Sequence, residues 1–100
     1  MSDSLPSTDE FEIQPTDLYS MLECGEPDIR LIDCREVDEY AICKITGYEL
    51  IPLSRFAEEA PPKLENEDRA IVIYCHHGMR SLQSTNFLRH KGLSKVWSLN

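Results

Sequence analysis

The segment from Cys75 to Ser81 brings a thiol, two imidazoles and a guanidinium together within a few residues. It follows an apolar run and precedes a stretch with helical character, which is the pattern of a strand, a turn and a helix start. The backbone N–H groups of such a turn and of the first helical turn have no intrahelical partners, so they bind anions and favour the thiolate form of a nearby cysteine. Cys75 is therefore the candidate catalytic nucleophile.

The residues that follow Cys75 are the candidate substrate-binding residues. Gly78 lets the backbone turn its N–H groups inward. Arg80 places a positive charge at a helix N-terminus, where the helix dipole disfavours it unless an anion lies nearby. The predicted substrate-binding residues are His76, His77, Gly78, Met79, Arg80 and Ser81. The competing interpretations are a buried structural cysteine for Cys75 and a pair of solvated loop side chains for the two histidines.

Short apolar runs alternate with longer mixed segments along the rest of the chain, which is typical of a parallel sheet with crossover helices. Residues 70–74 form an uncharged run of β-branched and aromatic residues, which we expect at the centre of the sheet. The remaining strands are predicted at 11–13, 29–33, 50–52 and 95–99, and the helices at 16–22, 36–41, 55–60 and 81–90.

Capping residues predict the ends of two helices. Pro15 is expected at the first position of the first helix, and Gly25 is expected just after its last residue. Ser54 is the predicted N-cap of the third helix, because its hydroxyl can accept a hydrogen bond from the first turn. Pro61 and Pro62 are expected to end that helix.

The chain has 100 residues and a mass of 11.5 kDa, which limits it to one small domain. We expect residues 1–10, which are mostly small, polar or acidic, to be a flexible leader, and residues 11–100 to form the domain. The net charge of −8 argues against nucleic acids and anionic membranes as partners. Residues 69–100, however, hold five Lys and Arg and no Asp or Glu. The part that contains the loop therefore favours a small anionic substrate.

No stretch of the sequence is long and apolar enough to cross a bilayer, and the acidic N-terminus is unlike a secretory signal. We therefore expect a cytoplasmic protein. Its cysteines include no Cys-x-x-Cys pair and have no histidine at zinc-finger spacing; they are Cys24, Cys34, Cys43 and Cys75. We expect no metal site and four free thiols, as is usual in a reducing compartment.

Several segments together resemble the single-domain rhodaneses, or thiosulfate sulfurtransferases. The resemblance covers nearly all of residues 11–100. Residues 31–36, with the sequence Leu-Ile-Asp-Cys-Arg-Glu, are similar to the Asp-x-Arg-Glu motif of the family, and the loop from Cys75 to Arg80 is similar to its active-site loop. Further similarities lie at Glu39, Tyr40, Ile45, Gly47, Ile51 and Pro52.

The resemblance implies a central five-stranded parallel sheet flanked by helices on both faces, with the catalytic cysteine starting the loop after the fourth strand. It implies a sulfurtransferase that moves a sulfane sulfur from thiosulfate or a persulfide donor to cyanide, a thiol or a protein through a Cys75 persulfide. Neither a metal nor an organic cofactor is expected, and we expect a monomer. The family's Gly-Gly turn and closing helix are not found before Asn100. Either the natural chain continues, or its sheet closes differently.

The residues leave three other functions open. Cysteine-dependent phosphatases and arsenate reductases use a similar loop, but theirs has one residue more between the cysteine and the arginine than lies between Cys75 and Arg80. A second alternative is a persulfide carrier or partner-recruiting module of a longer protein. The third is a redox sensor in which Cys34 is the resolving thiol, although a buried structural thiol is the simpler interpretation of Cys34.

Charged residues also follow the second predicted strand. We interpret Asp33 and Arg35 as a structural ion pair and not as acid–base catalysts, because a guanidinium binds a carboxylate through two parallel hydrogen bonds. Such a pair can tie the end of the strand to the following helix.

Overall fold

The computed structural model describes residues 5–25 and 28–100, in which strands alternate with helices. The strands are β1 (Glu12–Ile13), β2 (Ile29–Asp33), β3 (Glu49–Leu50), β4 (Ala70–Tyr74) and β5 (Val96–Leu99). The helices are α1 (Pro15–Cys24), α2 (Val37–Ile42), α3 (Phe56–Leu64) and α4 (Met79–His90), and a 3-10 turn, Leu53–Arg55, precedes α3. No helix in this part of the chain is long and apolar enough to cross a membrane.

The five strands of the described residues are parallel and form one sheet in the order β1-β5-β4-β2-β3. The uncharged strand β4 lies at the centre, as predicted. It pairs with β2 along its whole length, so that Asp33 lies opposite Tyr74 at the end of the two strands. The next residues, Cys34 and Cys75, therefore lie side by side at the carboxyl edge of the sheet.

Helices cover both faces of the sheet, which confirms the predicted α/β fold. The first core cluster joins α3 and α4 to one face and includes Ile32, Cys34, Phe56, Ala60, Leu64, Ile71, Ile73, Cys75, Leu88 and Val96. The second core cluster joins α1 to the other face and includes Ile13, Leu18, Met21, Ile29, Val72 and Trp97. Successive residues of β4 enter opposite clusters, because the side chains of a strand alternate between its faces. Burial on both faces explains why this strand is apolar.

The predicted N-cap of the third helix, Ser54, does not cap it, which corrects the prediction. Ser54 lies within the 3-10 turn. Its hydroxyl and its backbone N–H both donate to the Glu36 carboxylate, at 2.8 and 3.0 Å. Helix α3 begins after Arg55, whose side chain makes no capping hydrogen bond. Ser54 therefore joins the start of α3 to the start of α2.

Pro61 and Pro62 do not end α3, contrary to the prediction, because the helix continues to Leu64. Each proline removes one backbone hydrogen bond from the helix. Ala60 and Leu64 are nevertheless completely buried against the sheet, and full burial of a leucine side chain contributes about 1.5–3 kcal/mol. The packing of this face keeps the last turn helical despite the two prolines.

Most other element boundaries differ from the prediction by one or two residues, and two of these differences have a local cause. Helix α4 begins at Met79 instead of Ser81, because Gly78 adopts the left-handed conformation that lets the chain enter the helix there. Strand β3 spans Glu49–Leu50 instead of residues 50–52, since proline at its far end cannot donate a ladder hydrogen bond.

Part of the predicted leader, residues 5–10, lies against β5 and α4. The indole N–H of Trp97 donates to the Ser7 carbonyl at 3.2 Å. The Arg89 guanidinium donates to two carbonyl oxygens of the same segment, at 2.7 and 2.6 Å. Residues 1–4 lie outside the described residues, and the flexibility of the leader stays a prediction.

A buried ion pair holds the carboxyl end of β2. The Asp33 carboxylate is completely buried, and the Arg35 guanidinium donates to both of its oxygens, with the shortest contact at 2.9 Å. Arg35 also donates to the carbonyl of Cys43, just after α2, at 2.6 Å. The predicted structural ion pair is confirmed, and it joins the end of β2 to the end of α2.

Asp33→Asn should destabilise the fold strongly. The substitution removes the negative charge and leaves Arg35, a residue that is 7% exposed, without a counter-charge. We expect the free energy of unfolding to fall by about 3 kcal/mol, as is usual when one partner of a buried ion pair is lost. Urea denaturation followed by tryptophan fluorescence measures the change, since Trp97 is buried in the second core cluster.

Glu59→Gln is the matched control, because Glu59 pairs with Arg55 at 3.1 Å on the solvent side of α3. Loss of this exposed pair should change the free energy of unfolding by no more than about 0.5 kcal/mol. Equal effects of the two substitutions would contradict a structural role for the buried pair.

Candidate active site

Cys75 lies at the carboxyl end of the central strand β4, where the chain turns into α4. Its side chain is 3% exposed. Gly78 has a φ of 84°, a left-handed conformation that strains any residue with a side chain. This turn directs backbone N–H groups of the loop and of the first turn of α4 toward the sulfur of Cys75.

Hydrogen-bond donors converge on the Cys75 sulfur. The backbone nitrogen of Gly78 lies 3.1 Å from Sγ, and the backbone nitrogen of Ser81 lies 3.2 Å from it. The hydroxyl oxygen of Ser81 is a third polar neighbour, at 3.4 Å. These donors stabilise a negative charge on sulfur more than they stabilise a neutral thiol.

The contacts lower the pKa of Cys75. Burial by itself raises the pKa, because a thiolate loses its hydration inside the protein. The hydrogen bonds from the Ser81 side chain and from the N–H groups of Ser81, Gly78 and Arg80 outweigh burial, so the pKa lies below the ordinary value for cysteine. The nucleophilic thiolate is therefore favoured.

A pair of buried hydroxyls adjoins the sulfur. Ser81 Oγ and Ser98 Oγ are 2.6 Å apart, and both residues are completely buried. Ser81 Oγ also lies 3.2 Å from the Gly78 carbonyl. The Ser81 hydroxyl donates to that carbonyl while the neutral thiol of Cys75 donates to Ser81 Oγ. Once the thiol is ionised, Ser98 can donate to Ser81 and the Ser81 proton can turn to the thiolate. Ser98 is not among the site residues predicted from the sequence, where its one signal is a polar residue within an apolar strand.

Arg80 is bound to an acidic side chain of α2. Its two terminal nitrogens donate to the two oxygens of the Glu39 carboxylate, at 2.7 and 3.0 Å. The hydrogen bonds raise the pKa of Arg80 and lower the pKa of Glu39 to about 2. Glu39 is also missing from the predicted site residues, because nothing in the local sequence connects α2 with the loop.

The other predicted loop side chains face outward. His76 and His77 are exposed, and their rings contact each other edge to face with centroids 4.5 Å apart. Met79 is 69% exposed and lines a shallow groove with Phe11, Leu82, Gln83 and Asn86. The structure thus brings Gly78 and Ser81 to the sulfur through their backbone N–H groups, and the substrate-binding roles of the loop side chains stay predictions.

A second buried thiol, Cys34, lies beside Cys75 in the first core cluster. Burial raises the pKa of Cys34 to about 12, so this thiol stays protonated and is a poor nucleophile. A thiol that stays protonated favours a structural role for Cys34. The four cysteines are free, and across residues 5–25 and 28–100 no group of three or more His, Cys, Asp or Glu side chains is placed to hold a metal ion.

Known proteins share this fold. The family model of the rhodanese-like domain matches residues 14–100. The rhodanese-like domain of an Anabaena protein is 28% identical, with a TM-score of 0.79 over 91% of this chain and 68% of its own. The human single-domain sulfurtransferase TSTD1 is 27% identical, with a TM-score of 0.73 over 88% of this chain and 87% of its own.

Curated relatives include the tRNA uridine(34) hydroxylase of Escherichia coli, which is 31% identical over 91 residues. The match covers 87% of this chain but 25% of the hydroxylase, so the chain spans about a quarter of the length of the curated relatives it matches. The family match covers most of the domain and includes the Cys75 loop. The chain belongs to the rhodanese-like domain family.

Proposed function

We propose that this domain is a sulfurtransferase that carries a sulfane sulfur on Cys75. The proposal depends on one observation, the convergence of the Gly78 N–H, the Ser81 N–H and the Ser81 hydroxyl on the Cys75 sulfur. Such donors stabilise an anionic sulfur as a thiolate before the reaction and as a persulfide after it. The similarity to the human single-domain sulfurtransferase supports the same chemistry.

In the first half-reaction, the Cys75 thiolate attacks the outer sulfur of thiosulfate or of another persulfide donor. A bond forms between Sγ and this outer sulfur, and the sulfur–sulfur bond of the donor breaks. After it loses the outer sulfur, thiosulfate departs as sulfite, and an organic persulfide departs as a thiol. The product on the protein is the Cys75 persulfide anion.

In the second half-reaction, an acceptor attacks the outer sulfur of the Cys75 persulfide. Cyanide becomes thiocyanate, and a thiol becomes a persulfide. The bond between the two sulfurs of the persulfide breaks, and Sγ returns to the thiolate. The first product leaves before the acceptor reacts, which gives ping-pong kinetics. A reducing compartment such as the cytoplasm suits this reaction, because it keeps Cys75 reduced between turnovers.

The site is less suited to hydrolysis of phosphate esters. Arg80 donates to the Glu39 carboxylate, so it does not offer a free cation to a phosphate group. The segment between Cys75 and Arg80 is also one residue shorter than in cysteine-dependent phosphatases. Both features favour transfer of a single sulfur atom.

Cys75→Ser should abolish sulfur transfer, because an oxygen at this position cannot carry the sulfane sulfur. We expect the formation of thiocyanate from thiosulfate and cyanide to fall by at least about a thousandfold, as for other covalent nucleophiles. Intact-protein mass spectrometry after incubation with thiosulfate should show a gain of one sulfur atom in the unmodified protein and none in the variant.

Cys24→Ser is the control, because Cys24 is an exposed thiol at the end of α1. Its sulfur transfer should equal that of the unmodified protein. Turnover by Cys75→Ser, or sulfur found on another cysteine, would refute the mechanism. Hydrolysis of a phosphate ester without any sulfur adduct would favour a phosphatase instead.

Ser81→Ala should raise the pKa of Cys75, because the thiolate loses a hydroxyl donor while its burial stays the same. The alkylation rate follows the thiolate fraction, so the midpoint of the alkylation rate against pH should move to higher pH by about one unit. At a pH below the midpoint, alkylation of the variant is slower. The measurement is the rate of iodoacetamide labelling at Cys75 against pH, followed by peptide mass spectrometry.

Ser84→Ala provides the comparison for this shift. Ser84 is also a buried hydroxyl of α4, and it donates to the Arg80 carbonyl at 3.0 Å. Its loss should leave the midpoint of Cys75 alkylation in place. If the midpoint of Ser81→Ala also stays in place, the Ser81 hydroxyl does not stabilise the thiolate.

A further inference from the structure

In the loop from Cys75 to Arg80, Arg80 is the one residue whose side chain carries a permanent positive charge. The protein neutralises that charge itself, through the two hydrogen bonds that Arg80 donates to Glu39. Glu39 is held in turn, because it accepts the backbone N–H of Glu36 at 2.8 Å in the capping box that begins α2. Moving Arg80 onto a ligand would break both of its contacts with Glu39.

The charge of Glu39 is permanent over the physiological pH range. The hydrogen bonds from Arg80 lower the pKa of this carboxyl to about 2. The next guanidinium along the same edge of the sheet, Arg35, is also paired, with Asp33 at 2.9 Å. The two arginines therefore stabilise the fold around the loop and leave no net positive charge from their ion pairs.

We propose that the Glu39–Arg80 ion pair makes this site select organic persulfides over thiosulfate as sulfur donors, an inference that rests on the sulfur transfer proposed above. Thiosulfate carries two negative charges, and it must approach a thiolate that is already negative. Such an approach is favoured by a free cation near Sγ, and the ion pair does not supply one. An organic persulfide brings at most one negative charge to the reacting sulfurs.

The two sulfur donors differ in the number of negative charges that come together at the site during the reaction. With a persulfide R–S–SH, Sγ of Cys75 bonds to the outer sulfur, the donor's sulfur–sulfur bond breaks, and the proton of the outer sulfur passes to the departing sulfur. The products are R–SH and the Cys75 persulfide anion, so one negative charge is present throughout. With thiosulfate, the thiolate and the dianion bring three negative charges together, and sulfite departs with two of them.

The surface beside the loop is suited to an organic group. Met79, in the first turn of α4, is 69% exposed. It lines a shallow groove with Phe11 and Leu82, which reaches along α4 from the loop. Contact with such a surface removes the carbon atoms of an organic persulfide from water, which lowers the free energy of binding. Thiosulfate has no apolar part to bury.

Glu39→Gln tests the proposal, because it removes the negative charge but keeps an oxygen that can accept from Arg80 and Glu36. We expect the thiosulfate concentration for half-maximal loading of Cys75 to fall about fivefold, since Arg80 then attracts the dianion. The maximal loading rate, and loading by cysteine persulfide, should stay within about twofold. Loading is measured by intact-protein mass spectrometry as the gain of one sulfur atom with time.

Asp38→Asn is the matched control. Asp38 precedes Glu39 in the first turn of α2 and is exposed, so its substitution removes the same charge without touching Arg80. The half-maximal thiosulfate concentration should stay within about twofold in this variant, because solvent and salt screen an exposed charge. An unchanged value in Glu39→Gln, or an equal fall in both variants, would overturn the proposal.

The unmodified protein gives a second test that does not depend on the folding of a variant. Added salt should not raise the half-maximal thiosulfate concentration, because a neutralised Arg80 offers no attraction to screen. A several-fold rise with salt would overturn the proposal. Absence of sulfur on Cys75 with both thiosulfate and cysteine persulfide would instead refute the sulfurtransferase function, so the two failures are distinguishable.

Discussion

The chemistry of this domain depends on how the chain leaves its central strand. Backbone N–H groups lack partners where a helix begins, and the Gly78 turn directs those of the loop and of α4 at one sulfur atom. The buried strand β4 fixes the position of Sγ, and α4 fixes the donors. Neither has to move when negative charge develops on the sulfur. Because the backbone stabilises this charge, the loop side chains are available for other contacts, and Arg80 makes its contact with Glu39.

The architecture could be predicted from the sequence because strands buried on both faces must be apolar, and β4 is the clearest example. The errors lie where tertiary contacts override local preference. Pro61 and Pro62 disfavour a helix locally, but the burial of Leu64 keeps α3 helical through them. The Ser54 hydroxyl matches a helix cap by type, yet it donates to Glu36, a residue that only the fold brings near.

The same distinction applies to the site. Cys75 and its turn could be identified because the donors and the sulfur are close in sequence, as are Asp33 and Arg35. Ser98 and Glu39 could not, since the first reaches the loop through the position of β5 in the sheet and the second through the packing of α2. Residue types identify functional groups that are close together in sequence. Partners from distant segments can be identified only when the topology of the fold is known.

The outer strands of the sheet have a consequence for the behaviour of the domain in solution. Both are two residues long, β1 at Glu12–Ile13 and β3 at Glu49–Leu50, and each begins with a glutamate. Long, uncharged edge strands offer rows of unpaired N–H and C=O groups on which another molecule can add a strand. Short, charged edges offer little such template, so this parallel sheet is protected against edge-to-edge aggregation.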